Sequence, residues 1–264
     1  MPKDITVSLP DGNKKVLPSG SNGYDLASSI GSGLAKSAVA FRIGDDQFDL
    51  HDELQDETTV SIITIQSDEG LEIMRHTIAA QVLACAIKNL FPNSKLAIGP
   101  TIENGFYYDI LFDTSISSDD LDKIEKEMRN IIKKGGFIKK SLHSKADALS
   151  KFKKNQETYK LKIIEESDQS KDFQIYTQED SGFIDLCKGP HLPSLSFVGE
   201  FKLLSIAGAY WQGDSNNEML TRIYGTAWRT KKELSDHLTQ IEEAEKRDHR
   251  KLAKEMDLFH FQDE

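Results

Sequence analysis

The stretch MRHTIAAQVLACAIKNLFP, residues 74–92, constrains the fold most. Its apolar positions Ile78, Val82, Ala86 and Leu90 recur at the 3.6-residue helical period. Pro92, which has no N–H to continue the ladder, stops the helix. In front of it, residues 66–70 are polar, end on glycine and read as a linker, so the chain divides there. At 264 residues it is longer than one typical domain, and two compact units with connecting structure are expected.

Residues 4–63 read as a small mixed unit. Ile5, Val7 and Leu9 alternate, Asp11-Gly12 offers a hairpin turn, and residues 15–17 begin a return strand. Residues 24–30 form a short helix ended by Gly31, and residues 39–43, 47–50 and 60–65 are strand-like runs. This order suggests a ubiquitin-like β-grasp. Beyond the apolar helix, residues 96–98 and 106–112 read as strands about a Gly-Pro and an Asn-Gly turn. Ser118 or Asp119 caps a helix through Ile132 that Gly135-Gly136 ends. More strand and loop is expected to Tyr224, and residues 231–257 then read as a charged helix with few large apolar residues, a connector rather than core. The fold class expected is α+β: a β-grasp domain over residues 1–64, a larger α+β domain over 70–226, and a C-terminal linker helix within 227–264.

Composition narrows the function classes. Hydrophobic residues at 38% and charged residues at 29% fit a soluble globular protein. The opening MPKDITVSLP has no apolar core of an export signal, and no stretch approaches the ~18 apolar residues of a membrane span. A cytoplasmic protein without a membrane partner is expected, and Cys85 and Cys187 read as reduced thiols. A net charge of -10 argues against indiscriminate nucleic-acid binding. Lysines cluster at 151, 153, 154, 160 and 162, and basic residues recur from Arg229 to Lys254. These read first as solvated helix faces and only second as RNA contacts.

The chemistry concentrates in GFIDLCKGPHLPS, residues 182–194, which places Asp185, Cys187 and His191 within seven positions around a Gly189-Pro190 turn. A thiol and an imidazole on such a turn can hold a metal or share a proton. His76, placed by the sequence in a helix's first turn, supplies a second imidazole, and the set has the ingredients of a zinc-dependent or zinc-free hydrolytic pocket. Tyr107 and Tyr108 share a strand, so only one can face a given side. Tyr210, Trp211 and Tyr224 read as aromatic core, and Lys160 as a solvated lysine that could orient a phosphate or ribose.

In this order, LEIMRHTIAAQ, LAIGPTIENGFYYDI, FIDLCKGPHLPS, GAYWQGDSNNEMLTRIYGTAW and KRDHRKLAKEMDLFHFQ resemble the N-terminal portion of a bacterial-type threonyl-tRNA synthetase, over essentially the whole chain. The resemblance implies a TGS domain, an editing domain shared with alanyl-tRNA synthetases, and a helix leading to a class II aminoacylation core that would begin at about Glu264. ATP and magnesium would belong to that core, and the complete family member would be a homodimer. The implied activity is hydrolysis of the ester of Ser-tRNA(Thr), with tRNA(Thr) as partner. Carried over by position, His76, Lys160, Cys187 and His191 are the catalytic candidates, and Gln81, Tyr108 and Asp185 the substrate-binding ones. His76 would position or activate water, Lys160 would hold the terminal adenosine and support developing charge, and Asp185 would bind the seryl ammonium. Cys187 and His191 would line the pocket and hold a second water.

One departure from the family pattern stands on the apolar helix. Where a second histidine is expected four residues after His76 there is Ala80, with Gln81 one later, and the count to Ile98 is one residue longer than the pattern. In a regular helix Gln81 lies about 140° from His76, and a π-bulge would bring both to one side. Glutamine is a poor metal ligand beside histidine, so metal-independent, water-mediated hydrolysis is the expectation, with no cofactor required for it. The alternatives are a zinc-dependent ester hydrolase and a non-catalytic tRNA-binding module with a degenerate site.

Overall fold

The alternating apolar residues Ile5 and Val7 form β1 (Ile5–Ser8), which pairs antiparallel with β2 (Lys14–Leu17). The structure, a computed structural model, describes residues 4–247. Helix α1 (Gly23–Ile30) opens on a reciprocal cap, Asn22 accepting from the Asp25 N–H while Asp25 accepts from that of Asn22. A short α2 (Ser32–Ser37) follows, and then β3 (Ala38–Ile43), β4 (Asp46–Asp49) and β5 (Val60–Thr64) form an antiparallel sheet with β3 in the centre. A parallel bridge from Ser8 to Thr59 ties the hairpin to this sheet, as a β-grasp requires. Val7, Leu17, Leu26, Phe41 and Val60 share its core.

The expected linker is largely helix. Ser67 caps α3 (Asp68–Thr77) by accepting from the Gly70 N–H, and Asp68 and Glu69 complement the positive helix end. Gly70 is obligatory there: a Cβ would lie 2.1 Å from the Thr64 carbonyl oxygen. His76 therefore lies in the last turn of α3 and not in a first turn. The chain then widens into a π-helical segment, Ile78–Leu83, and returns to the α form in α4 (Ala84–Leu90).

Next come β6 (Lys95–Leu96), β7 (Thr101–Ile102), β8 (Gly105–Leu111), α5 (Ser118–Lys134), β9 (Ile138–His143), α6 (Lys145–Lys154), α7 (Thr158–Glu166), β10 (Phe173–Gln178), β11 (Ile184–Leu186), β12 (Glu200–Tyr210), β13 (Met219–Trp228) and α8 (Lys231–Lys246). The larger sheet runs β12-β13-β8-β6 with β7 on β8, and the smaller runs β11-β10-β9. Residues of the α3–α4 rod, β8, α5 and β13 share one core that includes Met74, Ile78, Leu83, Phe106, Ile124 and Ile223. Because the rod is apolar on most sides it must be enclosed, which fixes it between sheet and helix.

Three expectations need correction. The cap of α5 is Ser117, one residue before the expected Ser118. Residues 145–166, read as strand and loop, form α6 and α7, which cover the smaller sheet through Ala148, Phe152 and Ile164. Their apolar stripe is thin and interrupted by lysines, so periodicity alone does not reveal it. Of the three aromatics read as core, Trp211 is buried and Tyr224 half-buried, but Tyr210 is 45% exposed. Residues 248–257 of the expected terminal helix lie outside the described residues. Among the described residues no helix is long and apolar enough to cross a membrane.

Candidate active site

The end of α3 and the turn after β11 meet at one point. His76 Nε2 lies 2.7 Å from Cys187 Sγ, and the His76 and His191 rings stack with centroids 4.6 Å apart and planes within 6°. Thr77, next to His76, fixes the other ring: its hydroxyl is 3.2 Å from His191 Nδ1 and accepts from the Leu192 N–H. The turn closes at the cis Gly189-Pro190 bond. Gly189 has a φ of +66°, and a Cβ there would lie 1.9 Å from the Tyr176 hydroxyl, so glycine is required on both counts.

Lys160 contradicts its solvated reading. Helix α7 carries it into the interior, 3% exposed, where Nζ pairs with Asp185 Oδ1 at 2.6 Å and donates to the Tyr108 hydroxyl at 3.2 Å. Tyr108 in turn donates to Asp185 Oδ2, and the Leu186 N–H donates to Oδ1. Buried charges persist only when paired and hydrogen-bonded in this way. Tyr107, on the opposite face of β8, carries the Arg222 guanidinium over its ring instead. A cavity of about 460 Å³ opens onto these groups, lined by His76, Ala80, Gly99, Lys160, Asp185 and Cys187.

The expected π-helical segment is present at Ile78–Leu83, but Gln81 does not line the cavity beside His76. Ala80, four residues along, lies on the cavity wall instead. Gln81 is fully buried against Gln178, which donates to its carbonyl oxygen at 2.6 Å. Tyr108 and His191 stand behind the cavity wall and do not line it.

His76, Cys187 and His191 also form the metal-type cluster of the described residues, with ligand atoms within 4.8 Å of one another. The donor types suit zinc.

Comparison with known proteins identifies two domains. Residues 5–64 match the TGS domain, and residues 174–224, which carry the turn, match the threonyl and alanyl tRNA synthetase second additional domain. The chain is 50% identical over 261 residues to the threonine–tRNA ligase of Citrifermentans bemidjiense and 49% identical over 260 to that of Francisella philomiragia. It matches over 99% and 98% of its own length and spans 40% of each relative.

The chain carries a TGS domain and a threonyl and alanyl tRNA synthetase second additional domain, and is similar along nearly its whole length to threonine–tRNA ligases.

Within the site the electrostatics follow from burial. Burial holds both His76 and His191 below the ordinary histidine pKa, so the imidazoles stay neutral near pH 7. Burial raises the Asp185 carboxyl despite the Lys160 ion pair, and raises the Tyr108 phenol well above its usual range. The neutral His76 can therefore accept a proton at the cavity.

Sequence reasoning missed Thr77, Gly99, Tyr176 and Asp49. Gly99 lies flat on Tyr108, where a Cβ would sit 2.2 Å from the ring. Asp49 reaches the turn from a different domain, 142 residues away, and nothing in its local sequence signals that.

Proposed function

We propose that the second additional domain hydrolyses the ester of mischarged Ser-tRNA(Thr) in the cytoplasm, without a metal. The observation that carries the reading is His76 facing the cavity, in contact with Cys187 and sharing that cavity with the buried Lys160–Asp185 pair. Water attacks the seryl carbonyl carbon and passes its proton to His76. The bond from that carbon to the ribose oxygen then breaks, and the 3'-terminal hydroxyl leaves with the returned proton. Lys160 holds the terminal adenosine and opposes the negative charge that develops on the carbonyl oxygen. Asp185 supplies the charge that pairs with the seryl ammonium, and Cys187 bounds the pocket.

The need for such a site is physical. A synthetic pocket built for threonine rejects the smaller serine poorly, because one methyl is worth only about 1–3 kcal/mol, whereas a tighter second pocket excludes threonine by overlap. The test is deacylation of Ser-tRNA(Thr) and Thr-tRNA(Thr) by the intact chain. Rapid loss of serine with threonine retained supports the reading, and equal loss or no loss contradicts it.

A further inference from the structure

One carboxylate of the TGS domain reaches into the catalytic turn. Asp49, at the end of β4, accepts from the His191 backbone N–H through Oδ1 at 2.9 Å. Its Oδ2 accepts from the Tyr176 hydroxyl at 2.6 Å and pairs with Lys140 Nζ at 3.0 Å. The Tyr176 ring sits edge-on to the His191 imidazole at 4.4 Å, and its hydroxyl lies beneath Gly189. Asp49 thus grips the turn directly at residue 191 and, through Tyr176, at residue 189. Asp52 provides a natural contrast. It shares the Lys140 ammonium and accepts from the Asp49 main-chain N–H, but makes no hydrogen bond to the turn itself.

We infer that Asp49 is a positioning residue for the hydrolysis, which makes the TGS domain a working part of the site and not only an appendage. The inference rests on the hydrolytic reading above. Removing the carboxylate leaves the buried His191 N–H without its acceptor and the Tyr176 hydroxyl with Gln174 Oε1 alone, at 3.2 Å, so the turn bearing Cys187 and His191 must re-seat. Misplacement by about 1 Å is enough to cost up to about 10²-fold in rate.

The test compares Asp49→Ala, Asp49→Asn and Asp52→Ala in the intact chain, with kcat and KM for Ser-tRNA(Thr). The His191 ring resonances are followed by NMR and assigned with His191→Gln. Asp49→Ala is expected to lower kcat about tenfold with KM within about twofold, and to displace the His191 resonances. Asp49→Asn, which keeps an acceptor for the His191 N–H, should return kcat to within about threefold of the parent. Asp52→Ala, which frees the Asp49 main-chain N–H but leaves its carboxylate on the turn, should keep kcat within about twofold of the parent and shift the His191 resonances less than Asp49→Ala does. Equal losses from Asp49→Ala and Asp52→Ala, or an unmoved His191 signal in Asp49→Ala, would overturn the inference. Should Asp49→Ala not fold, Tyr176→Phe removes one arm of the grip, and an unchanged kcat together with an unmoved His191 signal there overturns it. If the parent chain cleaves no seryl ester, the hydrolytic reading fails by itself. The NMR arm then still decides whether Asp49 sets the turn.

Discussion

His76 and Cys187, 111 residues apart in the chain, meet at 2.7 Å between Nε2 and Sγ, because the last turn of α3 points at the turn that follows β11. The contact makes the imidazole and thiol one unit at the mouth of the cavity. Cys85, the other thiol, is 1% exposed in the core. Iodoacetamide should therefore alkylate Cys187 and spare Cys85, and the adduct should block hydrolysis by filling the space beside His76. Mass spectrometry of peptides checks the first point, and modification of Cys85 ahead of Cys187 would count against it.

Lys160 and Asp185 are both nearly inaccessible, with side chains 4% and 2% exposed. Lys160→Met strands the carboxylate, and a loss of about 3–5 kcal/mol in urea unfolding is expected. Pairing it with Asp185→Leu should restore most of that stability but no hydrolysis. Recovery of hydrolysis in the double variant would remove Lys160 from the mechanism.

Burial disfavours the His76 imidazolium, and Lys160 adds to this, while Asp185 and Asp49 oppose it; the net direction is downward from 6.5. The proton-accepting form thus persists below pH 6.5, and kcat should stay level there before falling at more acid pH. His191, facing His76, Cys187 and Asp49, shifts the same way. Both are depressed in the folded state, so their contribution to stability is present above the unfolded value near 6.5 and is lost as pH falls toward the folded values. A kcat profile that bends at or above pH 6.5 would contradict the assignment of His76 as base.

The π-helical segment can be tested by shortening it. Deleting Ala80 shortens the π-helical segment by one residue, restores a regular α turn and places the glutamine now at 81 four positions after His76, on the cavity wall. Far-UV circular dichroism should be nearly unchanged while hydrolysis falls about tenfold as the pocket fills. Undiminished hydrolysis would show that the register of this segment is irrelevant to the site.

The fold was legible where local pattern carries it. The β-grasp strands alternate, the apolar rod has its period, and the Cys187–His191 turn is marked by glycine and proline. What stayed hidden depends on contacts distant in sequence. Lys160 looks like any surface lysine until α7 carries it to Asp185, and Asp49 looks like a strand-end acid until β4 meets the turn. Gln81 shows the limit from the other side: the extra residue pointed to a π turn, but only the three-dimensional register decides that Ala80 and not Gln81 faces the cavity.

The central claim is that His76 acts on water at the seryl ester, and one comparison tests it most directly. Hydrolysis of Ser-tRNA(Thr) by the intact chain is measured beside the His76→Ala variant, with Thr-tRNA(Thr) as the rejected substrate. A loss of about 10²–10⁴-fold in kcat, with the fold intact and the threonyl ester spared by both proteins, is the expected result. Hydrolysis by His76→Ala at the parent's rate would contradict it.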